Sequence, residues 1–410
     1  MKRSPYWLGL LAALSLPSAE AVNQEIRALF QPDSSQPSKN VFVNKTPNSG
    51  YCTLDPAQCT DNNMFSIQLP VRFESTRAIT PGAPGDALSL KVPANWRQLT
   101  VSHRETGESE TVEVRIIGIG SKFLLSDSAA NLVGVTDILE GHQKLWTNNS
   151  WVYAPSPCVY SGVGWYSPDT YRFFWKAPVE ASCTKVAAYR IPAMSFDTLD
   201  FAYELRTPNP LGMSSGLYTG SLSYTLGPNG DFQMGPMMVP DDGNLTLDFV
   251  LDVQHTLKVD LPPHGDKVTL EPEGGWQRWI DGGHKPSRIY RDQTFFISAS
   301  SRFKVMLECA ESFAPDQCNL RSPTSGDRTY VEVKLSLPPG IGGPNGGGTV
   351  THLGLRHKEW AGPFQPGHYV DRKQGSLRFE MPKGSIESLL KPGMNDTFLG
   401  YITVVWDSEA

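Results

Sequence analysis

The sequence lacks the short motifs that carry several common enzyme chemistries. Its 410 residues contain no HExxH pair, no P-loop and no CxxC, which argues against zinc-protease, nucleotide-phosphate and dithiol redox sites. Charge is also scarce, because 36 basic and 42 acidic residues make up only 19% of the chain and form no basic block. Since neutralisation of phosphates supplies most nucleic-acid affinity, no nucleic-acid partner is expected.

Residues that interrupt helices are abundant. The chain contains 37 Gly and 33 Pro, which argues against a helical bundle or a doubly wound α/β enzyme, since both need long uninterrupted helices. Short runs of alternating apolar and polar residues are separated by turn clusters such as residues 80–85 and 227–230. This pattern predicts an all-β chain of sandwiches, with one short helical stretch at residues 128–146.

The first 21 residues have the layout of a secretory signal peptide. A basic start at Lys2 and Arg3 precedes an apolar run at residues 6–16 and small residues up to Ala21. The run is shorter than the roughly 20 residues of a membrane helix. We therefore expect cleavage after Ala21 and export from the cytoplasm.

Export is consistent with the cysteine content. Six cysteines fall in three pairs that are close in sequence: Cys52 with Cys59, Cys158 with Cys183, and Cys309 with Cys318. Sequence leaves other connectivities open, but pairing of nearest neighbours as disulfides is the simplest hypothesis in an oxidising compartment. Metal binding is not expected, because the cysteines lack zinc-ligand spacing.

A change of character near residue 240 predicts the domain division. We expect a first sandwich at residues 22–240, a polar linker at 241–244 and a second sandwich at 245–410. The second sandwich would begin with a run in which Leu245, Leu247, Phe249, Leu251 and Val253 share one face. Residues 22–40 are polar and show no alternating apolar strand.

An aromatic block between residues 146 and 175 contains the candidate binding residues. Most of its rings are expected in a core. Trp165 and Tyr166 are flanked by Gly and Pro, so we expect them in a loop, where rings near Arg172 and Lys176 would suit a sugar or acidic glycan. Arg190 and Arg206 are further candidates from local context.

Several segments resemble the CblD-like pilus initiator family, the two-domain tip adhesins of alternate (class 5) chaperone–usher fimbriae. The similar segments are residues 50–52 with 65–67, residues 216–220 with 224–227 and 230–232, residues 245–260, and residues 400–404. The resemblance implies two immunoglobulin-like β-sandwiches in tandem, an adhesin domain followed by an incomplete pilin domain. It also implies secretion through the periplasm to a pilus tip at the cell surface.

The resemblance further implies the partners and their binding groove. A periplasmic pilus chaperone, an outer-membrane usher and the N-terminal donor strand of the major pilin would act on the pilin domain, and a host glycan or glycoprotein on the adhesin domain. No catalysis, cofactor or metal is expected. The groove would accept the donor strand by strand addition, between two sets of residues: Leu245, Leu247, Phe249, Leu251, Val253, and Ile402, Val404, Trp406.

A chain that accepts a strand but has none to donate would stand at the end of a fibre. The alternative is a secreted carbohydrate-binding protein or glycoside hydrolase built from two sandwiches, since catalytic carboxylates can come from distant strands.

Overall fold

A computed structural model describes residues 22–61, 64–344 and 347–408. The predicted signal peptide, residues 1–21, lies outside the described residues. The chain is all-β, and its sheets form sandwich-like layers around two large hydrophobic cores. The first core belongs to residues 22–253 and the second to residues 257–408, which we call the first and second domains. Within the described ranges, no helix is long and apolar enough to span a membrane.

The first domain is mostly strand. Its strands are β1 (Val22–Phe30), β2 (Val43–Asn44), β3 (Phe65–Leu69), β4 (Phe73–Ser75), β5 (Leu88–Leu90), β6 (Arg97–His103), β7 (Ser109–Leu125), β8 (Val159–Tyr166), β9 (Thr170–Lys176), β10 (Cys183–Lys185), β11 (Met194–Phe196), β12 (Leu199–Arg206), β13 (Gly216–Thr225), β14 (Met238–Pro240) and β15 (Asn244–Val253). Its helices are α1 (Tyr51–Leu54), α2 (Pro56–Asp61), α3 (Ala129–Val133) and α4 (Ile138–Lys144), besides a 3-10 turn at Pro210–Gly212.

The long strand β7 connects the parts of the first domain. Its first half pairs with β6 and β12, and its second half pairs with β9 and β11. Buried and exposed residues alternate along its first half, as expected for a strand with one face on the core. The helices α3 and α4 follow its C-terminal end and confirm the helical stretch predicted there.

The position of β15 corrects the predicted domain division. This strand pairs along all ten residues with β13, and its alternating apolar residues Leu245, Leu247, Phe249, Leu251 and Val253 are buried in the first core. The predicted linker at 241–244 therefore lies within one domain, where residues 241–243 join β14 to β15 and Asn244 begins β15. The alternation correctly indicated one buried face, but that face packs on strands that precede it in the sequence.

The N-terminal segment begins with a strand, which its polar sequence did not predict. β1 runs parallel to β15, from Val22 beside Leu245 to Phe30 beside Val253. Ile26, Ala28 and Phe30 are buried in the first core. The start of the described chain is therefore built into its own first domain.

A histidine joins the two domains. The ring of His255 packs edge-on against Phe30 of the first domain, with centroids 5.5 Å apart. Its Nε2 lies 2.9 Å from the carbonyl oxygen of Met213, and its Nδ1 lies 3.0 Å from Ser300 Oγ. The carbonyl can only accept, so Nε2 carries the proton and donates to it.

The second domain contains the remaining strands. They are β16 (Leu257–Asp260), β17 (Glu271–Pro272), β18 (Ile289–Ala299), β19 (Phe303–Cys309), β20 (Ser312–Ala314), β21 (Gln317–Arg321), β22 (Arg328–Ser336), β23 (Ile341–Gly343), β24 (Gly347–Thr349), β25 (Leu353–Gly354), β26 (Trp360–Pro366), β27 (Val370–Glu380) and β28 (Ile402–Ser408). Its helices are α5 (Gln277–Gly282) and α6 (Lys383–Leu389).

Two sheets face each other in the second domain. One has the order β16-β18-β27-β22-β21-β20, and the other has the order β24-β23-β26-β19-β28. The last strand of the described chain, β28, thus lies at the edge of the smaller sheet.

The disulfides confirm the predicted pairing of nearest neighbours. Cys52 bonds Cys59, Cys158 bonds Cys183, and Cys309 bonds Cys318.

Candidate functional site: an open groove in the second domain

A large apolar groove lies between the two sheets of the second domain. Its volume is about 1000 Å³. One side is β28, whose Ile402, Val404 and Trp406 are only half-buried although they pack on the second core. The ring of Trp406 contacts two core rings, with its centroid 5.0 Å from that of Phe295 and 6.0 Å from that of Phe303.

The floor of the groove is formed by the larger sheet. It presents Phe295 from β18, Val331 from β22, and Leu377 and Phe379 from β27. Leu389 and Leu390, at the end of α6, line the groove as well. Phe295, Val331 and Leu377 are buried in the second core, and Phe379 is half-buried. The groove therefore opens directly above the core of the second domain.

The edge of β28 is free to pair with another strand. All seven residues of β28 pair with β19, from Ile402 beside Cys309 to Ser408 beside Phe303. Among the described residues, no strand pairs with its other edge. A row of backbone donors and acceptors therefore borders the apolar groove, which is the arrangement that strand addition requires.

The structure places three of the eight groove residues predicted from sequence at the groove. Ile402, Val404 and Trp406 line the groove. Leu245, Leu247, Phe249, Leu251 and Val253 do not, because β15 is buried between β1 and β13 in the first domain.

The receptor-binding candidates Trp165 and Tyr166 point in opposite directions. Both are exposed, Trp165 by 63% and Tyr166 by 46%, but they are consecutive residues of strand β8 and not of a loop. Trp165 lies opposite Arg172 and Tyr166 opposite Tyr171 on β9. Because successive side chains alternate across a strand, these two rings are on different faces.

Arg172 forms an ion pair within the first domain. Its Nη2 lies 2.6 Å from Oδ2 of Asp200, which is 1% exposed. Burial raises the pKa of Asp200, and the positive charge of Arg172 opposes that rise. The arginine therefore compensates a buried carboxylate.

The other basic candidates are dispersed. Lys176 ends β9, and Arg190 is exposed in the segment before β11. Arg206 ends β12, where its guanidinium lies 4.0 Å from the centroid of the Trp96 ring. On β7, Arg206 pairs with Glu113 and Arg172 pairs with Lys122. Glu113 and Lys122 are nine residues apart, or roughly 30 Å along a strand. Arg206 is therefore not part of the surface around Trp165.

A serine motif of the G-x-S-x-G type occurs at residues 212–216, but its geometry is not catalytic. Ser214 lies between a 3-10 turn and β13, and not at a strand-to-helix turn. The nearby His103 has Nε2 2.9 Å from the carbonyl oxygen of Ser215, and its Nδ1 accepts the amides of Glu105 and Thr106. Both ring nitrogens are engaged, so neither is available to accept the proton of the serine hydroxyl.

The chain is similar in fold to several solved structures. No protein-family model matches it, and no curated protein matches it. Solved structures with a similar arrangement are chaperone–usher tip adhesins. The first comes from a chaperone–tip adhesin complex of CFA/I fimbriae biogenesis, with 9% identity, 95% of this chain and 97% of that chain covered, and a TM-score of 0.28.

Two further structures are similar in the same way. CfaE, the adhesive subunit of CFA/I fimbria of enterotoxigenic Escherichia coli, has 9% identity, coverages of 95% and 98%, and a TM-score of 0.24. The CsuC–CsuE chaperone–tip adhesion subunit complex from archaic Csu pili of Acinetobacter baumannii has 9% identity, coverages of 94% and 98%, and a TM-score of 0.21.

Sequence reasoning missed the floor of the groove. Phe295, Val331, Leu377 and Phe379 lie on three strands that are far apart in the chain. Each strand shows the alternation of a half-buried strand, for example at residues 328–336. That signal identifies the inward residues but not which of them line the groove.

Proposed function

We propose that this chain is a minor fimbrial subunit at a pilus tip, which accepts a donor strand in its second domain and contacts a receptor through its first. The donor would come first from a periplasmic chaperone and then from the N-terminal extension of the major pilin, after delivery to an outer-membrane usher. The proposal assigns no catalysis to the chain.

The observation that carries the proposal is the unpaired edge of β28 beside the apolar groove. An exposed strand edge with an apolar face is a site of aggregation unless another strand covers it. A donor strand with apolar residues at every second position would pair with β28 and bury Ile402, Val404 and Trp406 against the floor.

The N-terminal strand supports a terminal position in the fibre. β1 is held along its whole length by β15, and three of its side chains are part of the first core. Donation of β1 to a neighbouring subunit would remove these side chains from the core. A subunit that receives a strand but keeps its own N-terminal strand stands at the end of a fibre.

The test is binding of a synthetic strand to the full chain without its signal peptide. The peptide has seven residues, the length of β28, with Ile or Val at alternate positions. Calorimetric titration should show saturable binding, and the peptide should suppress aggregation of the chain. In Val404→Asp, affinity should fall by about a hundredfold or more, since an unpaired buried carboxylate costs several kcal/mol.

Val405→Asp is the matched control, because Val405 is the next residue of the same strand, lies on its other face and does not line the groove. It should bind the peptide nearly as well as the wild type. A chain that is monomeric and stable alone and ignores the peptide would contradict the proposal and favour a free-standing secreted protein.

A further inference from the structure

Three exposed tyrosines form a strip on one face of the first domain, which we call the tyrosine strip: Tyr153, Tyr160 and Tyr166. They are 53%, 55% and 46% exposed, although aromatic rings contribute most to stability when buried. Tyr160 and Tyr166 share a face of β8, because their partners on β9 are Trp175 and Tyr171, four residues apart. That spacing is roughly 13 Å along a strand.

The rings of Tyr153 and Tyr160 lie nearly parallel, with centroids 6.3 Å apart and planes 23° from each other. Tyr166 stacks on the buried Tyr171, with centroids 6.2 Å apart and planes 20° apart. The hydroxyl of Tyr171 accepts the amide of Val152, next to Tyr153. The buried Tyr171 therefore contacts Tyr166 at one end of the strip and the backbone beside Tyr153 at the other.

The loop that carries Tyr153 is fixed by unusual contacts. The ammonium of Lys185, 0% exposed, lies within 3.1 Å of the carbonyl oxygens of Asn148, Ser150 and Tyr153. Burial without a carboxylate partner is costly, and it lowers the pKa of Lys185 to about 8.

Two further contacts hold the same loop. Nε1 of Trp175 donates to the carbonyl oxygen of Trp151 at 2.7 Å, and the Cys158–Cys183 disulfide closes the segment between Tyr153 and Tyr160. A surface held by a buried ammonium, an indole and a disulfide is rigid before any ligand arrives. Such preorganisation lowers the entropic cost of binding.

The edge of β8 that carries the strip is not suited to pairing with a strand of another protein. The register of β8 against β9 shifts between Tyr160 and Gly164, and Gly162 within this bulge has a φ of 94°. A bulge of this kind interrupts the regular backbone ladder that strand addition needs.

The segment of the sequence that carries the strip is uncharged. Residues 145–168, which include all three tyrosines, contain no Asp, Glu, Lys or Arg. At the 19% average of the chain, a stretch of 24 residues would hold four or five charged residues. Arg172 and Lys176, the basic residues of β9, alternate onto the opposite face from the strip. The face offers rings, hydroxyls and amides, which suit an uncharged ligand with flat apolar faces and many hydroxyl groups.

We propose that the tyrosine strip binds an extended neutral glycan, with sugar rings stacked on the Tyr153–Tyr160 pair and on Tyr166. This inference rests on the proposed function, since it specifies the receptor class of the first domain. The spacing of the two platforms requires a chain of several sugars, because a single sugar reaches only one of them.

The test measures binding of the full chain to immobilised neutral oligosaccharides of one to six sugars. Parallel arms use sialylated or sulfated chains and a bare polystyrene surface. Affinity should rise with chain length on the neutral arm. Tyr153→Ala, Tyr160→Ala and Tyr166→Ala should each weaken binding by about tenfold, the equivalent of one lost aromatic stacking contact. Tyr160→Phe should bind as the wild type does, because it keeps the ring.

Trp165→Ala is the matched control, since Trp165 is exposed on the opposite face of β8, and it should change affinity by less than about twofold. Binding only to charged chains, binding only to polystyrene, no glycan binding, or an equal loss in Trp165→Ala would each overturn the inference. The same variants are titrated with the alternating strand peptide. Peptide binding without glycan binding defeats only this inference, whereas glycan binding without peptide binding defeats only the proposed groove function.

Discussion

Replacement of Phe249 by Ala distinguishes the position of β15 in the structure from the position predicted by sequence. Phe249 is 1% exposed and lies between Ile26 of β1 and Gly220 of β13. Removal of a buried phenyl ring costs about 3–5 kcal/mol. For a domain of this size, 1 kcal/mol shifts the melting temperature by about 2–4 °C, so the first-domain transition should fall by roughly 6–20 °C.

Hydrogen exchange, measured segment by segment along the chain, is the assay that shows which domain loses stability. In Phe249→Ala, amides of β1 and β13 should exchange faster, because these strands share the damaged core. Exchange in β19 and β28, and affinity for the strand peptide, should stay at wild-type values.

The opposite pattern would refute this reasoning. Suppose that Phe249→Ala weakened binding of the strand peptide by tenfold or more, while the amides of β1 and β13 stayed protected from exchange. β15 would then border the groove, as the sequence pattern predicted. Trp406→Ala is the reciprocal control, since it should weaken binding of the strand peptide and leave hydrogen exchange in β1 and β13 unchanged.

Two further predictions concern ionisable groups of the first domain. Arg172→Ala should lower the free energy of unfolding in urea by about 3–5 kcal/mol, because it leaves the buried carboxylate of Asp200 without a counterion. Adding Asp200→Asn should recover much of that loss, and no recovery would contradict the role of the pair. Burial lowers the pKa of His142 below its usual 6.5, so the unfolded chain binds more protons and stability should fall as pH drops from about 6.5 through the folded pKa. His142→Gln should lose less stability than the wild type between pH 7.5 and 5, measured by urea unfolding, and an equal loss would contradict the assignment.

Local pattern in the sequence was sufficient to predict strands, and close pairs of cysteines were sufficient to predict disulfides. Strict alternation identified the buried face of β15 and the inward face of β28. It did not identify the neighbours of β15, because β1 lies more than 200 residues earlier in the chain. Period-2 alternation reports that a face is buried but carries no information about which strand buries it.

The candidate sites show the same limit. Ile402, Val404 and Trp406 were predicted because they alternate in one short segment, whereas the groove floor comes from three separate strands. Tyr153 and Tyr160 were not singled out, since their exposure depends on the bulge in β8 and on Lys185 beneath the loop. A buried lysine that binds three carbonyls leaves no recognisable motif in sequence.

In the described part of the chain, β8 and β28 each have one edge that no strand pairs, and the difference between these edges supports separate roles for the two domains. β8 has a bulge and a glycine at positive φ, which disrupt pairing with another strand. β28 pairs regularly with β19 along its whole length and has an apolar groove beside it. A regular edge next to an apolar groove invites association, which is the physical reason for the proposal that a partner strand fills it. The edge that is closed to strands carries the tyrosines, and the edge that is open to them carries the groove.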